Sequence, residues 1–167
     1  MEFIFSNGKK VKLPPPTVAS YYKIYHAVDI AEEIEGLCEW LGSTDTARSY
    51  IAPADIIRAK DELRIWLSEL RKREEYQAPH VDGDTLPETH YKTVYHELKM
   101  VSDYTHDSFT ELKQLDVLTF WRLYRDAIIY NCNKSDEGRT YLDRAFASVQ
   151  TKPDRAAIAQ IIAMQRE

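Results

Sequence analysis

The stretch Val117-Leu118-Thr119-Phe120-Trp121-Arg122-Leu123-Tyr124-Arg125-Asp126-Ala127-Ile128-Ile129-Tyr130 decides the fold. Val117, Phe120, Trp121, Tyr124, Ala127 and Ile128 recur at steps of three and four, the period of a helix with one buried stripe. Leu118, Leu123, Ile129 and Tyr130 widen that stripe until only Thr119, Arg122, Arg125 and Asp126 remain as a polar strip. A helix this apolar belongs at the centre of a core or partly beneath a partner. Asp116, just ahead of it, has the side chain to cap its free N–H groups.

Working outward, the chain before this helix reads as a series of shorter helices. Thr85 with Glu88 forms a capping box around Pro87, opening a helix with Tyr91, Val94, Tyr95, Leu98 and Val101 on one face, and Ser108 with Glu111 repeats the signal. A helix from Pro53 to about Tyr76 is expected to bury Ile56, Leu63, Trp66, Leu67 and Leu70. Residues 77–86 lack periodicity and read as an internal loop. Nearer the start, Thr17 caps a helix with Val18, Tyr21, Tyr22, Tyr25 and Val28 in line. The following stripe, Ile30, Ile34, Leu37, Cys38 and Leu41, points about 160° away at 100° per residue, so the helix must break near Asp29 or be covered on two sides. Gly42 supplies a C-terminal stop and residues 43–50 a loop.

The first thirteen residues form a hairpin, Glu2 to Phe5 and Lys10 to Leu13 around Asn7-Gly8, which favours a type I′ turn. Phe3 and Phe5 share a face that a helix must cover, because an isolated hairpin is marginal in water. Pro14-Pro15-Pro16 ends the sheet as a stiff spacer. After the central helix come two more, one with Tyr141, Leu142, Ala145, Phe146 and Val149, the other opening near Pro153 with Ile158, Ile161 and Ile162. The expected architecture is mainly α, a single helical domain of about six or seven helices with a small N-terminal β-hairpin.

Composition agrees with a folded chain: 44% hydrophobic and 29% charged residues over 167 positions is a globular balance. The net charge of −5 offers no broad positive field for nucleic acid. Arg71-Lys72-Arg73 is countered by Glu74-Glu75 and reads as a charged helix end. Neither a signal peptide nor an apolar run of about 20 residues is present, so a cytoplasmic protein without membrane contact is expected. Cys38 and Cys132 stand apart from any metal-ligand spacing and read as buried thiols.

Chemical motifs are sparse. His106-Asp107, with His80, His90 or His96 before it and Asp126 after it, has the residue types of a metal-dependent HD-type phosphohydrolase. Its position in Asp103-Tyr104-Thr105-His106-Asp107-Ser108 reads better as a helix-ending loop. Glu32, Glu35 and Glu39 form an acidic helix face that reads as solvated, and Asp82-Gly83-Asp84 lacks the ligand pattern of a calcium loop. The phosphate-cradling and nucleophile-elbow motifs are missing, and no catalytic residue, metal or cofactor is expected.

Eleven Tyr and three Trp point instead to protein binding. Trp40, at the edge of its stripe, and Ile65, opposite its own, are candidate exposed anchors. The hairpin edges are candidates for accepting a strand. The candidate protein-binding set is Phe3, Phe5, Trp40, Ile65, Trp121, Arg122 and Arg125.

The run Phe3-Ile4-Phe5-Ser6-Asn7-Gly8-Lys9-Lys10-Val11-Lys12-Leu13-Pro14, leading through Pro16-Thr17-Val18 into a Tyr-rich helix, resembles the opening of bacteriophage tail assembly chaperones. Phe120 to Ala127, Glu137-Gly138-Arg139-Thr140-Tyr141-Leu142 and Thr151-Lys152-Pro153-Asp154-Arg155 are similar to phage tail-gene products of the same kind. The resemblance implies a non-catalytic helical protein that binds the tape-measure protein during tail assembly, keeps its hydrophobic helices from aggregating and is absent from the finished virion. A structural virion component is the alternative within the same setting, and a homo-oligomer is compatible with either. The resemblance implies no residue-level binding site.

Overall fold

The computed structural model describes residues 1–43, 51–81 and 95–150. The Thr85/Glu88 capping box, Tyr91, Val94, Asp82-Gly83-Asp84, His90, most of the loop after Gly42 and the helix expected from Pro153 lie outside the described residues. Among the described residues the chain forms two strands, β1 (Glu2–Ile4) and β2 (Lys10–Lys12), and seven helices. The helices are α1 (Val18–Tyr25), α2 (Ile30–Leu41), α3 (Pro53–Arg71), α4 (His96–Thr105), α5 (Phe109–Gln114), α6 (Val117–Cys132) and α7 (Asp136–Gln150). The fold is mainly α with a small N-terminal antiparallel hairpin, as expected. Its contacts group into two compact units, residues 1–77 with 93–127, and residues 78–92 with 128–167, where the sequence led us to expect one domain.

In the first unit the hairpin pairs Glu2 with Lys12, Phe3 with Val11 and Ile4 with Lys10. The turn differs from the type I′ expectation. Gly8 alone takes the left-handed backbone, at φ 83°, and its N–H donates to the Phe5 carbonyl at 2.8 Å, while Asn7 is not among the positive-φ residues. That is a three-residue loop closed by a bulge at Gly8. Asn7 instead uses its side-chain oxygen to accept the Lys9 N–H at 3.0 Å.

The hairpin is anchored by a residue whose role the sequence did not announce. Asp55, in the first turn of α3, is 1% exposed. Its carboxylate accepts from the Ser6 N–H at 2.8 Å, the Ser6 hydroxyl at 2.6 Å, the Ala52 N–H at 3.1 Å and Arg58 at 3.2 Å. A buried carboxylate is tolerable only when its lone pairs are filled in this way. Burial pushes the Asp55 acid upward, but Ser6, Ala52 and Arg58 outweigh it and hold it below its usual range. Arg58 also donates to the Ile4 carbonyl and lies 4.9 Å from the Phe3 ring centre.

Behind the hairpin the chain breaks at Asp29, as the stripe reversal requires. Asp29 caps α2 by accepting the Glu32 N–H at 2.9 Å, and α2 folds back on α1. The crossing is tight at Gly36, where an added Cβ would fall 2.7 Å from the Lys23 Cβ and 3.1 Å from both the Ile24 side chain and the Ser20 carbonyl. Lys23 binds Glu35 at 2.7 Å and Glu39 at 2.6 Å across the same crossing. Two of the three glutamates read as a solvated face are therefore cross-links. Leu37 and Leu41 are buried as expected, but Val28, Ile30 and Ile34 are exposed. Cys38 and Cys132 are half-buried free thiols rather than fully buried ones.

The two helices at the centre of this unit start side by side. The Val18 N–H donates to Leu115 and the Val117 N–H to Pro16, at 2.8 and 2.9 Å. Asp116 caps α6 through the Leu118 and Thr119 N–H groups, both at 3.0 Å, and Val117, Phe120 and Trp121 enter the core. Helix α3 buries Leu63 and Leu67 with Ile56, Trp66 and Leu70 partly covered, and ends at Arg71 with a short 3₁₀ turn to Tyr76. In the second unit the Tyr141 hydroxyl donates to the Pro79 carbonyl at 3.0 Å and Ala145 is buried. Phe146 and Val149 of the expected stripe are exposed.

Candidate functional site

The predicted binding residues divide sharply by burial. Phe3, Phe5 and Trp40 are at 0, 1 and 1% exposure and Trp121 is at 3%, so none presents its ring to a partner. The reason for Trp40 is specific: its indole N–H donates to the Pro14 carbonyl at 2.9 Å, filling an acceptor in a proline run that can donate nothing itself. Phe3 and Phe5 meet edge to face at 5.0 Å in the core, with Arg58 of α3 over the Phe3 ring. The β1 edge, expected to be open to a strand, is met at Ile4 by Arg58. Ile65, at 60% exposure, and Arg122 are exposed, and Arg125 is half-exposed.

The structure brings Arg122 and Arg125 together at one surface of the first unit and leaves the hairpin residues, Trp40 and Trp121 in the core. Around Trp121 runs a series of aromatic rings. Tyr25 and Tyr21 lie 4.9 Å apart, Tyr21 and Trp121 5.8 Å, and Trp121 and Tyr76 6.2 Å, the last two edge to face. Two guanidinium groups cap the series: Arg71 stands 5.0 Å from the Trp121 ring and Arg122 5.1 Å from the Tyr76 ring. Such contacts each contribute about 0.5–1 kcal/mol where solvent reaches them.

Two hollows open beside this series. A broad one, about 450 Å³, is lined by Arg73, Glu75, Arg122, Arg125 and Asp126. Arg122 donates to Glu75 and to the Tyr76 hydroxyl, both at 3.1 Å, and holds the Glu75 acid below its usual value. Arg125 reaches Asp126 at 3.3 Å. These are solvent-exposed pairs, which contribute little to stability and exchange partners readily.

A smaller hollow of about 170 Å³ lies between α1, α3 and α6, with Tyr21, Tyr25, Arg64, Arg71 and Trp121 in its lining. Burial raises the Tyr21 hydroxyl, with Arg71 opposing, and raises Tyr25 to about 12. Two buried polar atoms here, the Tyr25 hydroxyl and the Trp121 indole N–H, have no hydrogen-bond partner. A buried donor left unpaired costs about 1–3 kcal/mol. The sequence reading missed Tyr21, Tyr25, Arg64 and Arg71 as site residues, although Tyr21 and Tyr25 share a stripe and Arg64 and Arg71 are two turns apart on α3.

Of the histidines weighed as metal ligands, His106 has a structural place. His106 ends α4 in the left-handed backbone, at φ 67°, with its N–H donating to Ser102 at 2.8 Å. Ser108 and Glu111 form the expected capping box for α5. Among the described residues no group of three or more His, Cys, Asp or Glu is placed to hold a metal ion. No helix among them is long and apolar enough to cross a membrane. The chain matches no protein family, curated protein or solved structure.

Proposed function

We propose that the chain is a non-catalytic protein-binding factor of phage tail morphogenesis, which holds a tape-measure protein in the host cytoplasm while the tail assembles. One observation carries the binding part of this reading: the aromatic series from Tyr25 to Tyr76 ends under Arg122, an exposed arginine whose acidic partner Glu75 is also exposed and replaceable. Aromatic rings flanked by arginine are the composition of interface anchors. The phage part is supported by the likeness of residues 3–18, 120–127 and 137–142 to tail assembly chaperones. The net charge of −5 favours a protein over a nucleic acid as partner.

Co-expression with a tape-measure protein, followed by affinity capture, tests the reading. A complex and a gain in soluble tape-measure protein are expected. The double change R122E/R125E, at exposed and half-exposed positions, should weaken capture roughly tenfold or more while leaving the fold intact. No complex and no gain in solubility overturn the proposal. Mass spectrometry of mature particles separates a chaperone, which is absent, from a structural component, which is present.

A further inference from the structure

The hollow between α1, α3 and α6 has a lining of unusual one-sidedness. Arg64 and Arg71 contribute two cations, and no carboxylate lines it. Tyr25 and Trp121 contribute the two buried polar atoms without partners. Arginine and the tryptophan indole can only donate hydrogen bonds, while the Tyr21, Tyr25 and Ser68 hydroxyls can donate or accept, so donors outnumber acceptors in the lining. At about 170 Å³ it has room for roughly five waters, more than one bridging water would need.

We propose that this hollow receives a carboxylate from a partner polypeptide, a Glu or Asp side chain entering between Arg64 and Arg71. The arginines are loosely engaged: Arg64 lies 3.4 Å from Asp61 and Arg71 4.0 Å from Glu97, the arginines and Asp61 at least half-exposed and Glu97 about a third. An incoming carboxylate offers both guanidinium groups paired, charge-assisted bonds in place of those long contacts. Part of the wall is shielded from water, with Trp121 3% exposed and the Tyr25 hydroxyl and Trp121 indole N–H buried, and a pair formed against such a wall is stronger than one in water. Asp61 and Glu97 already face the two arginines, so an incoming carboxylate has to displace those long contacts. The polypeptide as source rests on the protein-binding reading above; the preference for a carboxylate rests on the lining alone.

The experiment follows the three indole N–H signals of the isotopically labelled full chain, assigned with W66F and W121F, during titration with a blocked peptide of alternating Glu and Ala. A saturable displacement of the Trp121 signal is expected. The Trp40 signal, fixed by Pro14, should stay in place and reports that the fold is intact. The same peptide with Gln for Glu should have no effect, and R64Q and R71Q, singly and together, should weaken the response, about tenfold or more for the pair. No displacement, an equal response to the Gln peptide or an unchanged response in R64Q/R71Q overturns the proposal. Inorganic phosphate binding as tightly as the Glu peptide overturns the carboxylate assignment. No tape-measure protein is involved, so a positive titration beside a failed co-expression leaves the carboxylate site standing and removes only the phage reading.

Discussion

Asp55 carries more of the N-terminal structure than any other single polar residue. It replaces the water of one carboxylate with four donors, two from the hairpin turn at Ser6 and two from the first turns of α3. Removing the acceptor takes a charged partner from the Ser6 and Ala52 N–H groups, while the hairpin loses its tie to α3. Asp55→Ala is expected to cost about 2–4 kcal/mol, and Asp55→Asn less, because one acceptor oxygen survives. Urea unfolding followed by circular dichroism checks this; a loss below about 0.5 kcal/mol would place the anchoring elsewhere. The sequence showed Asp55 only as a polar residue three positions after Ala52. Its partner Ser6 is 49 residues away, and no local pattern encodes that pairing.

At the scale of elements, what could be read was what depends on near neighbours. The caps at Thr17, Ser108 and Asp116 form as expected, since each joins groups two or three residues apart. The break at Asp29 followed from a reversal of the apolar stripe. What escaped was burial set by crossings. Ile30 and Ile34 fit the stripe but are exposed, and Trp40, at the edge of its stripe, is buried with Pro14 as its acceptor. The smaller hollow escaped for the same reason, because it needs three helices together before Tyr25 and Trp121 meet. Gly36 tests the crossing directly. In an isolated helix Gly→Ala would stabilise by about 1 kcal/mol. Here the new Cβ would meet the Lys23 Cβ at 2.7 Å and the Ser20 backbone carbonyl at 3.1 Å, neither the free end of a flexible chain. Overpacking costs about 1–3 kcal/mol, so Gly36→Ala should destabilise on balance. A raised melting temperature for this variant would show that α1 and α2 lie farther apart than described.

At the scale of the whole molecule, the directions of the acid shifts set a pH window for stability. Asp55, Glu75 and Glu111 are held below their ordinary values in the folded chain by their hydrogen bonds, those of Asp55 outweighing its burial. Near pH 4 the unfolded chain therefore binds more protons than the folded one, and stability rises with pH there. The contribution is full above the unfolded carboxylate range and is lost as pH falls through the folded values. Asp55 dominates this limb, because Glu75 and Glu111 are exposed and their pairs are screened by solvent. At the other end, burial raises Tyr21, Tyr22, Tyr25, Tyr76 and Tyr124, Tyr25 to about 12. Above pH 10 the folded chain keeps phenolic protons that the unfolded chain releases, so stability falls as pH rises. Urea midpoints measured across pH should thus show a gradual acid limb, a steeper alkaline limb built from several phenols, and between them only the small rise with pH that the lowered Met1 amino group adds. In Asp55→Asn the acid limb should flatten and the alkaline limb persist, because the two limbs rest on separate groups. An acid limb unchanged by Asp55→Asn would assign it to other carboxylates, and the absence of an alkaline limb would mean that the tyrosines of this surface are wetter than their burial indicates.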